Sequence, residues 1–219
     1  TKSQYDSTQA SYNQAKESFK NKIMQSYLDA DNAVHNYGDS LFTNPGTVYP
    51  TVNFFQKDAS LTEDVSNART LLQYLLQDWQ RQVAVVDSED AAQVTKTKIN
   101  ITKVQDYLNK LAQAINSATA TASTPDSTLI SYRTSVASAR TLISSSISAL
   151  LSSEDAYKSA KSALQVSKDQ LTLKESGSDP QDIKSQQASV LQAQASVAAA
   201  NAEISKTIIR APFDGTVTK

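Results

Sequence analysis

"GSDPQDIKSQQASVLQAQASVAAANAEISKT", Gly177 to Thr207, is the stretch whose reading decides the fold. It opens on turn residues, Gly177 and then Asp179-Pro180, and continues without another glycine or proline. Asp179 suits a helix N-cap and Pro180 the first helical turn, where its missing N–H would be unpaired anyway. Beyond the turn, Ile183, Val190, Val197 and Ile204 recur every seven residues, and Leu150, Tyr157, Leu164 and Leu171 do the same before it. The two series mirror each other about Gly177, with Leu171 opposite Ile183, Leu164 opposite Val190, Tyr157 opposite Val197 and Leu150 opposite Ile204. A seven-residue interval places large apolar side chains on one narrow seam. Between them stand Ala160, Ala163, Ala193, Ala195, Ala198, Ala199 and Ala200, small enough for two axes to approach the low end of the ~8–10 Å range. The pattern predicts an antiparallel coiled-coil hairpin over 126–207 with its turn at 177–180. Its returning arm, about 27 residues, would be roughly 40 Å long. An ordinary helix pair inside a globular bundle is the competing reading; the scarcity of bulky residues beside the seam favours the extended pair.

Upstream, the few breakers divide the chain further. Four glycines and five prolines in 219 residues leave long uninterrupted stretches, as long helices require. Tyr5, Tyr12, Phe19, Ile23, Tyr27, Ala30, Val34 and Leu41 fall on one helical face. "GDSLFTNPGTVYPTVNFF", 38–55, reads as an ordered loop of turn residues and aromatics. Leu61, Val65, Ala68, Leu72, Leu75, Trp79, Val83 and Val86 mark a second helix, and Val94, Ile101, Val104, Leu108, Leu111 and Ile115 a third. The acidic segment 86–93 predicts a break between them, one continuous bent helix being the alternative. The expected organisation is therefore a helical-bundle insertion over 1–125, with helices at about 1–41, 59–86 and 89–122. The hairpin follows at 126–207, with Val136, Leu142, Ile143, Ile147 and Leu150 facing inward. The fold class is all-α, with a short β segment at the C-terminus.

Composition excludes more than it names. Net charge is −1 with 20% charged residues and no basic run, which argues against a nucleic-acid partner. There is no cysteine, hence no disulfide framework. The longest apolar-leaning stretch, 141–153, is too short for a membrane span and rich in serine. Thr1 is not an initiator methionine and no signal peptide begins there, so a piece of a longer protein is expected.

Candidate sites reduce to structural readings. His35 has only Asp31 and Asp39 at helical spacing, too few ligands for a metal. Trp79 sits on the apolar stripe of the second helix and reads as core. Tyr5, Tyr12, Tyr27 and Tyr37 read as packing rather than as a ligand platform. The pairs Glu63-Asp64, Glu89-Asp90 and Glu154-Asp155 are sequence neighbours on helices, whose side chains diverge, so they make no catalytic dyad. Asn100-Ile101-Thr102 is a formal glycosylation sequon inside a helix. Phosphate loops, nucleophile elbows and zinc-type motifs are missing from the sequence. No catalytic, cofactor-binding or metal-ligating residue is assigned.

The chain ends on "TIIRAPFDGTVTK", 207–219, where β-branched residues, Pro212 and an Asp214-Gly215 turn announce strands. Here it resembles the membrane fusion proteins, the periplasmic adaptor subunits of bacterial efflux pumps and type I secretion systems. In that family a helical hairpin interrupts a lipoyl-like β domain, and the returning helix re-enters it through a segment like Ile209, Arg210, Ala211, Pro212, Phe213, Asp214, Gly215. The resemblance runs from about Leu150 to Lys219, roughly a third of the chain. It implies that 208–219 starts the second half of a lipoyl-like domain. It further implies a non-catalytic, membrane-anchored extracytoplasmic protein of periplasm or cell surface, partnered by an inner-membrane transporter of ABC or RND type through parts outside this chain. Lateral self-association of hairpins would follow. The tip lacks the family's duct-docking Arg–Leu–Ser pattern: no arginine stands near Gly177, and Arg133 and Arg140 are followed one turn on by Ala137 and Ser144. Lys219 lacks the flanking residues of a modified carrier lysine. A hairpin rooted in one domain needs an even number of passes, so a further helix is expected before Thr1. The alternative function is an extracytoplasmic helical sensor or ligand-binding bundle, motivated by the aromatic loop Tyr49 to Phe55. A biotin- or lipoyl-carrying enzyme subunit would require a modifiable lysine beyond Lys219.

Overall fold

The computed structural model describes residues 2–177 and 180–207. The chain divides into two units, Thr1–Ser167 and Lys168–Lys219. In the first, helix α1 spans Lys2–Asn32 and turns Phe19, Ile23, Tyr27 and Ala30 inward, at the spacing of one helical face. It runs on through a π-helical turn, Ala33–Gly38, and a 3-10 turn, Asp39–Leu41. Two short strands follow, β1 (Phe42–Thr43) and β2 (Thr51–Val52), antiparallel with Phe42 opposite Val52 and Thr43 opposite Thr51. The sequence reading expects only a loop here. The turn that closes this ribbon has Asn44 at φ 52°, left-handed backbone that asparagine tolerates, and Thr47 N–H donates to its carbonyl at 3.1 Å.

Helix α2 (Ala59–Val83) starts at Asp58, whose carboxylate accepts from Ser60 N–H at 3.0 Å. Helix α3 (Ala91–Asn116) starts at Asp90, which accepts from Ala92 and Gln93 N–H at 2.8 and 3.3 Å. These caps satisfy amides that a helix start leaves without intrahelical partners. Residues 59–116 are thus two helices rather than one bent rod, each ending a few residues short of the sequence expectation. Helix α4 (Asp126–Glu175) follows Pro125, whose carbonyl takes the first N–H bonds from Thr128 and Leu129.

Loop contacts establish an up-down-up-down bundle. At one end the α1–α2 connection meets the α3–α4 connection: Thr119 N–H donates to Phe55 O at 3.0 Å, Gln56 Nε2 to Ser117 Oγ at 3.0 Å, and Thr124 Oγ1 to Asn53 O at 2.9 Å. Between the ends lies a continuous core. It takes Tyr27 and Val34 from α1 and its π turn, Leu72 and Trp79 from α2, Val104, Leu108 and Ile115 from α3, and Leu129, Val136 and Ile143 from α4. Trp79 is fully buried, as its place on the apolar stripe predicts, with Tyr27 edge-on at 5.7 Å and 75°.

One charge lies inside this core. Arg69 of α2 has no side-chain exposure, and its Nε and Nη2 donate to the two carboxylate oxygens of Asp39 at 2.7 and 3.0 Å. Nη1 donates to Gln73 Oε1 at 3.1 Å. The guanidinium meets the carboxylate edge to edge in a bidentate fork, the geometry in which arginine tolerates burial. Tyr107 is buried nearby with its hydroxyl unpartnered, and burial holds its phenol well above the ordinary value, with the Arg69 charge opposing and the Asp39 charge adding.

In the second unit α4 ends at Glu175 and Gly177 adopts φ +74°, donating its N–H to Lys174 O at 3.4 Å. This is the left-handed residue that commonly closes a helix, and a side chain there would be strained. Helix α5 (Pro180–Thr207) then begins on its proline.

Removing one member of the buried pair leaves the other charge uncompensated. Asp39→Ala is expected to destabilise the chain by about 3–5 kcal/mol in urea unfolding followed by circular dichroism, whereas the double change Asp39→Leu with Arg69→Met regains most of that loss. A double variant no more stable than the single one would show that shape, not charge, is decisive there.

Candidate functional site

The seam is the site the sequence singles out, and its residues differ in their surroundings. In the first unit Leu150 and Tyr157 are buried and Leu164 is half-buried; in the second Leu171 is half-buried. No residue of α5 is buried, and Ile183, Val190, Val197 and Ile204 are 48% to 60% exposed. Leu150 and Tyr157 pack with Phe19 and Ile23 of α1 and Val94 of α3. The Tyr157 ring stacks on Phe19 at 5.5 Å and 21°, and tilts against Tyr12 at 5.9 Å. Helix α1 is thus a partner of α4 over this stretch, which the sequence reading does not foresee. The available signal is that Tyr5, Tyr12 and Phe19 keep the same seven-residue interval. The mirrored pairing with α5 rests on the sequence alone.

Of the turn residues, Gly177 and Pro180 hold the conformations their chemistry favours, while Asp179 lies outside the described residues. So does the re-entry motif Ile209, Arg210, Ala211, Pro212, Phe213, Asp214, Gly215.

Beside the aromatic contacts, one carboxylate gathers three segments. Glu89, in the α2–α3 connection, accepts Tyr12 OH at 2.5 Å, Lys16 Nζ at 2.6 Å and Tyr157 OH at 3.4 Å. Its own backbone is fixed by Asp87, which accepts Glu89 N–H at 2.9 Å. The Lys16 ammonium and the Tyr12 hydroxyl lower the Glu89 carboxyl to about 2. Reciprocally, the Glu89 hydrogen bond and partial burial push the Tyr12 phenol above its ordinary value. A second carboxylate, Glu154 of α4, is buried and bonded to Lys98 at 2.5 Å and Lys158 at 2.8 Å. Burial pushes it up, yet the Lys158 and Lys98 contacts prevail and hold it below the usual range.

Of the adjacent acidic pairs expected on helices, Glu154-Asp155 lies within α4 and diverges as helix geometry requires, whereas Glu89-Asp90 lies in the connection before α3. Glu89 joins the junction while Asp90 caps α3, and Glu154 is buried while Asp155 is exposed. His35 Nδ1 lies 3.0 Å from an Asp31 carboxylate oxygen, and no group of three or more metal-binding side chains occurs among the described residues. In the aromatic loop Phe54 is buried and Tyr49 exposed; Phe55 borders an open hollow of about 670 Å³ with Asn53, Thr121, Ser123 and Tyr132. Among the described residues no helix is long and apolar enough to cross a membrane. Protein-family models, curated proteins and solved structures show no match to the chain.

The depressed Glu89 value has a definite sign. Its carboxyl titrates near 4.5 when unperturbed and at about 2 in the fold. The unfolded chain therefore binds the proton first, so the contribution is complete above the ordinary value and lost as pH falls through the window toward the folded value. Glu89→Gln removes it. Between about pH 5 and 2.5 the wild-type urea midpoint should fall more steeply than that of Glu89→Gln, so that the two converge. Parallel curves would mean that Glu89 is not held as described.

Proposed function

We propose that the chain is the helical part of a non-catalytic, extracytoplasmic transporter adaptor of the membrane-fusion type, acting as a scaffold that sets distances in an export or efflux assembly. One observation carries the reading. Helix α4 continues unbroken for 50 residues, about 75 Å, stops at a left-handed glycine and is followed by the 28-residue α5, which leads toward the Ile209–Val217 segment that resembles the family's lipoyl re-entry. The inner-membrane transporter, of ABC or RND type, would be engaged by parts beyond this chain, and hairpins of neighbouring copies would lie side by side. The 1–125 segment, whose helices share their core with the first part of α4, then stands as the helical-bundle insertion of an elaborate member of the family.

A second reading, a ligand-binding or sensor bundle, is favoured by the hollow beside Phe55 and Tyr132. Thermal stabilisation of the chain by small molecules drawn from the substrates of a neighbouring transporter supports that reading.

Sequencing the gene on both sides of the region tests the adaptor proposal. A membrane anchor and one lipoyl half upstream, with the matching half downstream, are the expected result; an enzyme or signalling output domain there sinks it. Sedimentation adds a second measurement. The chain alone should remain largely monomeric at micromolar concentration, because the polar Gln/Ser/Thr surfaces of its helices offer little for a standing interface. A tight oligomer counts against it.

A further inference from the structure

Within the first unit, where α1, the start of α3 and α4 meet, lies a pocket of about 320 Å³, a volume at the lower end of small-ligand sites. Phe19, Val94 and Tyr157 form its buried floor. Its acceptors are already used. Glu89 holds Tyr12 and Lys16, and Glu154 holds Lys98 and Lys158. Its donors are in surplus. Lys161 makes no ion pair among the described residues, its ammonium lying 5.8 Å over the Tyr157 ring. Lys98 and Lys158 each have three N–H groups and one carboxylate partner. Ser88, also in the wall, keeps a buried hydroxyl with no partner. Three lysines thus face two carboxylates, one of which Lys16 neutralises from beside the pocket.

We propose that this pocket binds a small organic monoanion, a carboxylate carried on a compact apolar group. Lys161 takes the carboxylate, helped by the free donors of Lys98 and Lys158. The apolar group lies over the floor and along the methylene stems of the lysines, which supply apolar surface under their charged heads. Lys161, with no carboxylate partner among the described residues, offers one ammonium to one carboxylate, while Lys98 and Lys158 share the single Glu154. The volume and apolar floor call for more than an inorganic anion. Binding would brace three helices at once and raise the stability of the folded chain by mass action. The proposal stands independently of the adaptor reading.

The test titrates benzoate into the 219-residue chain at constant ionic strength, read by saturation-transfer NMR and by thermal shift, with inorganic phosphate in parallel. Saturable benzoate binding is expected, with an upward shift in melting temperature and much weaker binding of phosphate. Lys161→Gln, which breaks no ion pair and should leave the fold intact, is expected to weaken benzoate roughly tenfold, the loss of about one charge-assisted hydrogen bond. Lys161→Arg should retain most of the affinity. Three results overturn the proposal: no saturable benzoate binding, equal binding by Lys161→Gln, or phosphate binding as tightly as benzoate.

Discussion

A guanidinium with no exposure to water must find every partner inside the protein, and that demand on Arg69 organises one end of the bundle. Its acceptor, Asp39, stands just past the end of α1, so the chain must deliver a carboxylate there at the correct angle. The π turn Ala33–Gly38 does this. Each residue of such a turn advances the chain less and rotates it differently from an α-helical one, shifting the face that follows. Leu41 and Phe42 then enter the core, and the ribbon of β1 and β2 starts from a fixed point. The ribbon in turn carries Asn53 to Gln56 against the α3–α4 connection. Taken without Asp39, Arg69 is a liability; taken together they specify how α1, α2 and the loop between them are arranged.

The other end of the bundle is held by a different economy. The core thins toward Phe19, Ile23, Val94, Leu150 and Tyr157, and charge takes over where apolar area runs short. Glu89 engages side chains of α1 and α4, Glu154 engages Lys98 of α3 and Lys158 one turn along its own helix, and tyrosine hydroxyls extend the network from the stacked rings. Exposed ion pairs taken singly contribute little. Here the contacts share carboxylates and rest on stacked aromatics, so geometry is held by several groups at once.

Helix positions were legible because the interval between apolar residues is a direct consequence of helical pitch. The acidic segment 86–93 marked the break before α3, position 126 the start of α4, and Gly177 with Pro180 the turn, whereas the individual caps Asp58 and Asp90 show only in the structure. The β ribbon was not legible: its strands are two residues long, and a pattern with period two needs more than that to show. The Arg69–Asp39 pair was hidden for another reason. A charged residue on an apolar stripe reads as an imperfection of the stripe, and its partner stands thirty residues away. Glu89 and Glu154 were seen only as members of acidic pairs, since nothing in the sequence tells which of two adjacent carboxylates will face a neighbouring helix. The family resemblance concerns 150–219, whose last twelve residues lie outside the described structure.

The seam shows most clearly what periodicity can and cannot specify. In α4 the seven-residue series extends farther back than Leu150: Leu129, Val136, Ile143, Leu150 and Tyr157 are all buried, and Leu164 is half-buried. In α1 and the π turn that continues it, Phe19, Ser26 and Ala33 are buried at the same interval, with Tyr12 and Tyr5 half-buried before them. Two helices that both repeat every seven residues keep their apolar faces together over a long distance by slight supercoiling. One face of α4 therefore belongs first to the bundle core and then to the contact with α1, without changing its sequence signature. A seam states which face of a helix is apolar; what covers that face depends on the other helices within reach. Within the first unit the same face of α4 is covered by different neighbours along its length.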